Sequence, residues 1–387
     1  MALDYYQNYQ YLVRNVKMNN KRLRIESLDY MRGLMALSVV IYHYTSWSIS
    51  SEASIDVIGS EYLLGKLGIY GVGVFYILSG ISLAIIYDGK IKSSNDMLAF
   101  TAKRFFRIAP LFWIAVTIAL TFNIIAGIIK GAPYDISIYK VILNYSLSFG
   151  FIDPSSALTT GAWSIGNEIV FYTIICITYY MSNYNKYIFR TVMFLSAICY
   201  LFFAFIIIDS NASLEEQWST YINPFNQLFL FMIGALIGKH SNKIKVKKEW
   251  ILMVCLASLF IFVYYPVSGD KINIVSGINR VMLSAICCII VTSIYILNPS
   301  NDGFICKFLA KLGEISYSIY LMHPIVSMPV LFVTKRIGLE RWQGFAISFL
   351  IVIVIGLITY RYIETPMMKT GSRIALRIKN MRNRIKA

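Results

Sequence analysis

Ten apolar runs, at about 29–47, 67–87, 105–128, 163–181, 188–208, 224–239, 250–266, 278–297, 313–334 and 342–363, constrain this chain more than any other feature. Most reach the ~20 residues a membrane-crossing helix needs. Inside hydrocarbon each backbone N–H and C=O must be satisfied within the segment, so runs of this length become helices. The sixth run is short, and Pro224 at its start suits a helix N-terminus. With 57% hydrophobic and only 14% charged residues, the chain is far from a soluble domain. The expectation is an all-α membrane protein of about ten transmembrane helices. One helical domain covers 28–366, between a polar cytoplasmic tail at 1–27 and a basic cytoplasmic tail at 367–387. No repeat period stands out, the loops are too short for a soluble module, and the first 27 residues hold no apolar run to act as a secretory signal.

The formal charge of +16 invites a nucleic-acid partner, but its distribution argues against one. Most Lys and Arg fall in one alternate set of inter-span segments, while Glu52, Asp56 and Glu61 mark a segment of the other set. That is the positive-inside bias; it puts both termini in the cytoplasm of a multi-pass protein of the inner membrane. The six cysteines show no CxxC or Cys/His spacing and read as small hydrophobes, so no metal site is expected.

The first span carries Arg32 near one end and His43 near the other. Eleven helical steps of about 100° make three turns plus roughly 20°, so both side chains share a face. They lie about 16 Å apart along the axis, roughly half the hydrocarbon thickness. Ionisable groups at such depth usually face a cavity or a reaction path. The plainer alternative is an Arg snorkelling to the interface and a His bonded to a neighbouring helix.

Other polar residues recur at marked places. Gly68, Gly71, Gly73 and Gly80 strip bulk from the second span, letting a helix or a substrate approach the backbone, and Ser79 lies beside the last of them. Lys103, Arg104 and Arg107 open the third span at the cytoplasmic surface, where arginine forks match phosphate oxygens of a ligand or of lipid headgroups. Tyr139–Ile152 reads as an interfacial helix leading to Trp163, Asn167 and Glu168. Glu168 is one turn into its span from the outer side, placed to orient His43 or to pair with an Arg. In the ninth span Ser316, Tyr317 and Tyr320 precede His323, which falls mid-membrane just before Pro324, where a kink is expected. Interhelical hydrogen bonding is the plainer reading of His323. Arg361 and Glu364 are spaced for an i,i+3 pair. His240 and the lysines around it read as a solvated basic loop, and Lys369–Lys386 as a membrane-surface helix.

Cations on one side, a His and a Glu toward the other, and small residues between suit transfer of an activated group from a cytoplasmic phosphate-bearing donor to an outer acceptor. A neutral His43 can take the proton from an acceptor hydroxyl. No GxSxG elbow is present, so direct transfer is the simpler mechanism, with a covalent acyl-enzyme through Ser79 or Ser316 as its alternative. A transporter or flippase for a lipid-linked sugar is the competing class, although no matched halves with interrupted helices are visible.

These motifs together resemble the acyltransferase type 3 family of integral-membrane O-acyltransferases. The matching pieces are Arg32-x10-His43, the Gly71–Gly80 run, Arg104–Trp113, Trp163–Tyr172, Gly313–His323 and Glu364–Pro366, in the family's order across nearly the whole chain. Ile169 departs from the polar residue that often follows the family's Glu. The resemblance implies acyl transfer, most often of acetyl, from cytoplasmic acyl-CoA as a donor substrate, with no tightly bound cofactor. Its acceptors are sugars of O-antigen lipopolysaccharide, exopolysaccharide or peptidoglycan, free or lipid-linked. By match, Arg32 and His43 form the essential pair and the Arg104/Arg107 cluster holds CoA phosphates. Some relatives carry a fused periplasmic hydrolase-like domain; a chain without one is expected to act alone.

Overall fold

The computed structural model describes residues 25–49, 59–132, 134–240, 246–299 and 303–385. The tail before residue 25, the acidic residues Glu52 and Asp56, the loop lysines Lys243 and Lys245, and Lys386 lie outside the described residues.

Every predicted span is helical. In chain order the helices are α1 (Glu26–Ile49), α2 (Leu63–Tyr87), α3 (Ser94–Lys130), α4 (Ile138–Tyr145), α5 (Trp163–Met181), α6 (Ile188–Phe202), α7 (Pro224–His240), α8 (Lys248–Tyr264), α9 (Gly277–Leu297), α10 (Phe304–Glu314), α11 (Ser316–Arg336), α12 (Arg341–Thr359) and α13 (Thr365–Ile385). Local chemistry sets several ends. Ser93 caps α3 by accepting from the Asp96 N–H, and Gly131 closes it at φ 68°. Glu340 and Gln343 form a capping box on α12. The expected interfacial helix at 139–152 is α4 followed by the short turn Phe149–Ile152.

Among the described residues, seven stretches are long and apolar enough to cross a membrane: Leu63–Tyr87, Ser94–Lys130, Ile188–Ile207, Trp218–His240, Gly277–Leu297, Ser316–Arg336 and Arg341–Met381. Seven of the ten predicted spans therefore meet that measure of length and apolarity. The other three predicted spans are α1 and α5, which carry the polar residues Asp29, Arg32, Asn167 and Glu168, and α8, which has only 17 residues. Long apolar side chains on α6 (Phe194, Leu195, Phe202) and α8 (Trp250, Met253, Phe260) are exposed, as expected of helices facing lipid in a multi-pass membrane protein.

The buried core runs along α2, which packs on α1 and most closely on α7. A Cβ on Gly80 would meet the Phe231 carbonyl oxygen at 2.1 Å, and one on Gly234 would meet that of Ile77 at 2.1 Å. The α2 glycines thus admit a helix backbone at this level. A second close approach joins α1 to α10, where a Cβ on Gly313 would lie 2.1 Å from the Asp29 carbonyl oxygen. α12 passes through a π-turn, Tyr360–Glu364, into α13, which lies along α3. The predicted tail after residue 366 is thus a continuation of the helix, with Gly371 and Ala375 buried.

Candidate active site

A cavity of about 340 Å³ opens between the N-terminal part of α1, the second half of α2 and the start of α3, closed by α5 and α11. Arg32, Ser79, Arg104, Arg107, Glu168, Ser316 and Tyr317 all line it, so seven of the residues singled out from the sequence meet here.

The three arginines are held differently. Arg32 pairs with Asp29 at 3.0 Å, one turn earlier on α1, and donates to Ser82 Oγ of α2. Asp29 and Ser82 were not singled out from the sequence; the i,i+3 spacing was the one signal available for Asp29. Arg107 pairs with Glu364, a buried carboxylate that also accepts from Ser318 Oγ. Arg104 is cradled by rings, 5.7 Å from the Tyr87 centroid, 6.0 Å from Phe100 and 5.9 Å from Tyr172. Its Nε is buried without a hydrogen-bond partner. Its charge is therefore the one best placed to meet an incoming anion. Lys103 lines a separate cleft of about 150 Å³ with Lys90, Asp96 and Lys379.

The expected Arg361–Glu364 pair does not form. The π-turn widens the helix at these residues and takes them off a shared i,i+3 face. Glu364 turns inward to Arg107, while exposed Arg361 lies over the Tyr362 ring at 5.6 Å. Nor does Glu168 meet His43: it accepts from Tyr172 Oη at 2.8 Å, and Tyr172 bonds Ser79 at 3.2 Å. Neither serine named as an alternative nucleophile contacts a histidine, since Ser316 Oγ donates to the Gly313 carbonyl at 2.9 Å.

His43 finds another partner. Its Nδ1 lies 2.8 Å from Nε2 of His323 on α11, with the two rings within 10° of parallel. His323 is fully buried and His43 half-buried, stacked on Trp47 at 5.2 Å. Pro324 does not end α11, which runs on to Arg336. Tyr320 links the two clusters. Its ring lines the arginine cavity, its Oη bonds Ser164 at 2.8 Å and the Gly161 carbonyl at 3.0 Å, and its backbone carbonyl faces His323 Nδ1 at 2.7 Å. Beyond Tyr320 a second cavity, about 470 Å³, is walled by Thr159, Thr160, Trp163, Trp218 and Pro324. Asn167 is buried in structural bonds, donating to the Ile222 carbonyl at 3.0 Å and to Tyr76 Oη at 3.3 Å.

Fold and site together define a helical, multi-pass membrane protein with an arginine-lined cavity and a hydrogen-bonded histidine pair. The family model described as an acyltransferase domain matches residues 25–361, and the chain belongs to this acyltransferase type 3 family. It is similar to the exopolysaccharide production protein ExoZ of Rhizobium meliloti, 23% identical over 79% of this chain and 91% of the relative. It is 22% identical to the peptidoglycan O-acetyltransferase OatA of Listeria monocytogenes, and 24% identical to the O-acetyltransferase OatA of Staphylococcus aureus. Both alignments cover 90% of this chain, but it spans only 57% and 58% of those two relatives. No solved structure matches it.

Proposed function

We propose that this protein transfers an acyl group, most simply acetyl, from cytoplasmic acyl-CoA to a hydroxyl of a cell-surface polysaccharide or its lipid-linked precursor, in the inner membrane. The observation that carries the reading is the arginine-lined cavity reaching, through Tyr320, to the His43–His323 pair. Membership of an acyltransferase family supplies the reaction class, and the names of ExoZ and OatA point to polysaccharide acceptors. With both termini cytoplasmic, Arg32 and Arg104 face the donor side. Arg104, with Lys103, Lys90 and Lys379 around the neighbouring cleft, suits the donor's phosphates.

His43 Nε2 takes the proton of the acceptor hydroxyl as its oxygen attacks the thioester carbonyl carbon. The new C–O bond forms, the C–S bond breaks, and the departing thiolate receives the proton from His43. Nothing in this sequence requires an acyl-enzyme.

Label transfer from radiolabelled acetyl-CoA to polysaccharide tests it, in membranes carrying wild type, His43→Ala or Arg32→Ala at matched expression. Transfer by the wild type and loss in both variants is the expected result. Undiminished transfer by His43→Ala overturns the base assignment. No transfer from any acyl-CoA, with sugar still crossing the membrane, points to the transporter instead.

A further inference from the structure

We infer that Pro324 sets the tautomer of the base. This rests on the reading of His43 as the group that accepts the hydroxyl proton.

The argument starts from a missing donor. In a continuous α-helix the N–H of residue 324 would donate to the carbonyl of Tyr320, four residues earlier. Proline has no N–H, so α11 passes through Pro324 with that carbonyl released from the ladder. A buried carbonyl without a donor is costly, and here His323 Nδ1 takes the place at 2.7 Å. A carbonyl oxygen only accepts, so the proton of His323 is on Nδ1.

The consequence passes to the next ring. A neutral His323 with its proton on Nδ1 offers Nε2 as an acceptor. The rings around it are His43, Tyr44, Trp47 and Tyr320, at 5.0 to 6.1 Å, and none of them supplies a counter-charge. A charged imidazolium in such a place would be expensive. His43 Nδ1, 2.8 Å from that acceptor, must therefore be the donor. His43 then carries its proton on Nδ1 and presents a bare Nε2, the form able to accept a proton. Tyr44 Oη, donating to the His323 carbonyl at 2.9 Å, ties α1 to α11 at the same level. Pro324 and His323 are thus positioning residues. They act on the reaction by holding His43 in one tautomer and one orientation, the part a third group plays in other nucleophile–base sites.

The direct test is spectroscopic and independent of the acceptor. The chain has three histidines, so ¹⁵N-histidine labelling in a His240→Gln background leaves only His43 and His323 in the spectrum of the full-length protein in lipid. Both rings are expected to show Nδ1–H with bare Nε2. Pro324→Ala restores the competing N–H and should populate Nε2–H on both rings. In the label-transfer assay it should lower kcat at least about tenfold, within the ~10²–10⁴ that a positioned base contributes, and leave the KM for acetyl-CoA within about twofold. His323→Gln, which keeps an acceptor near the Nε2 position, should retain more kcat than His323→Phe, which keeps only the ring. A wild-type His43 bearing Nε2–H overturns the inference, as does a Pro324→Ala protein with unchanged ring spectra and kcat. An active His43→Ala protein would defeat the base assignment instead, and the ring spectra tell the two failures apart.

Discussion

Arg107 and Glu364 stand 257 residues apart in sequence and form an ion pair between α3 and the π-turn after α12. The Glu364 side chain is wholly buried, and Ser318 of α11 donates to its other oxygen. One carboxylate thus joins three elements around the arginine cavity.

Breaking this pair should therefore cost stability before it costs chemistry. Glu364→Ala strands the partly buried Arg107 cation beside a buried gap, a loss that should fall below the ~3–5 kcal/mol typical of a fully buried pair. The expected outcome is a marked fall in thermal midpoint in detergent. A smaller loss is expected in the double variant Arg107→Ala/Glu364→Ala, which leaves no unpaired charge. A double-mutant cycle with no coupling would contradict this.

Arg104 should behave in the opposite way. Rings hold it, and among the described residues no carboxylate forms an ion pair with it. Arg104→Ala is expected to raise the KM for acyl-CoA roughly 10–100-fold, from loss of charge-assisted bonds of about 1.5–3 kcal/mol, with little change in thermal midpoint. Arg104→Lys should recover only part, because an ammonium lacks the planar fork. Equal kinetics in wild type and Arg104→Ala would remove the residue from the donor site.

The contact of α2 with α7 gives a packing prediction. Gly80→Ala places a methyl 2.1 Å from a backbone oxygen that cannot swing away, whereas Gly73→Ala meets the flexible end of Leu230 at 3.0 Å. Overpacking typically costs about 1–3 kcal/mol, so Gly80→Ala should melt clearly below Gly73→Ala. Equal midpoints would show that the helices part easily.

Tyr320→Phe separates the tyrosine's two roles. It removes the Oη bonds to Ser164 and Gly161 but keeps the carbonyl that faces His323. Stability should drop by about 1 kcal/mol per bond lost, while the ¹⁵N signals of the histidines stay as in wild type. Altered ring tautomers in this variant would show that the hydroxyl, rather than the backbone, governs the pair.

The amino-acid sequence by itself determined the helices and the chemistry they carry. Runs such as 67–87 and 278–297 have no alternative to internal hydrogen bonding, so their ends fell within a few residues of α2 and α9. Several residues lining the arginine cavity, Arg32, Arg104, Arg107 and Glu168 among them, were also legible, because a charged side chain in an apolar helix stands out against its neighbours. Which side chains meet was decided by the tertiary structure alone. Periodicity gives the face of a helix and says nothing of the helix opposite it. Glu168 was the partner expected for His43, until packing gave Glu168 to Tyr172 and His323 to His43. Arg361 and Glu364 had the right spacing for a pair, but a π-turn, which depends on tertiary contacts rather than on composition, turned one outward and the other to Arg107. Local rules could place a proline after His323. Only the folded chain brought His43 within reach of the acceptor this proline helps to create.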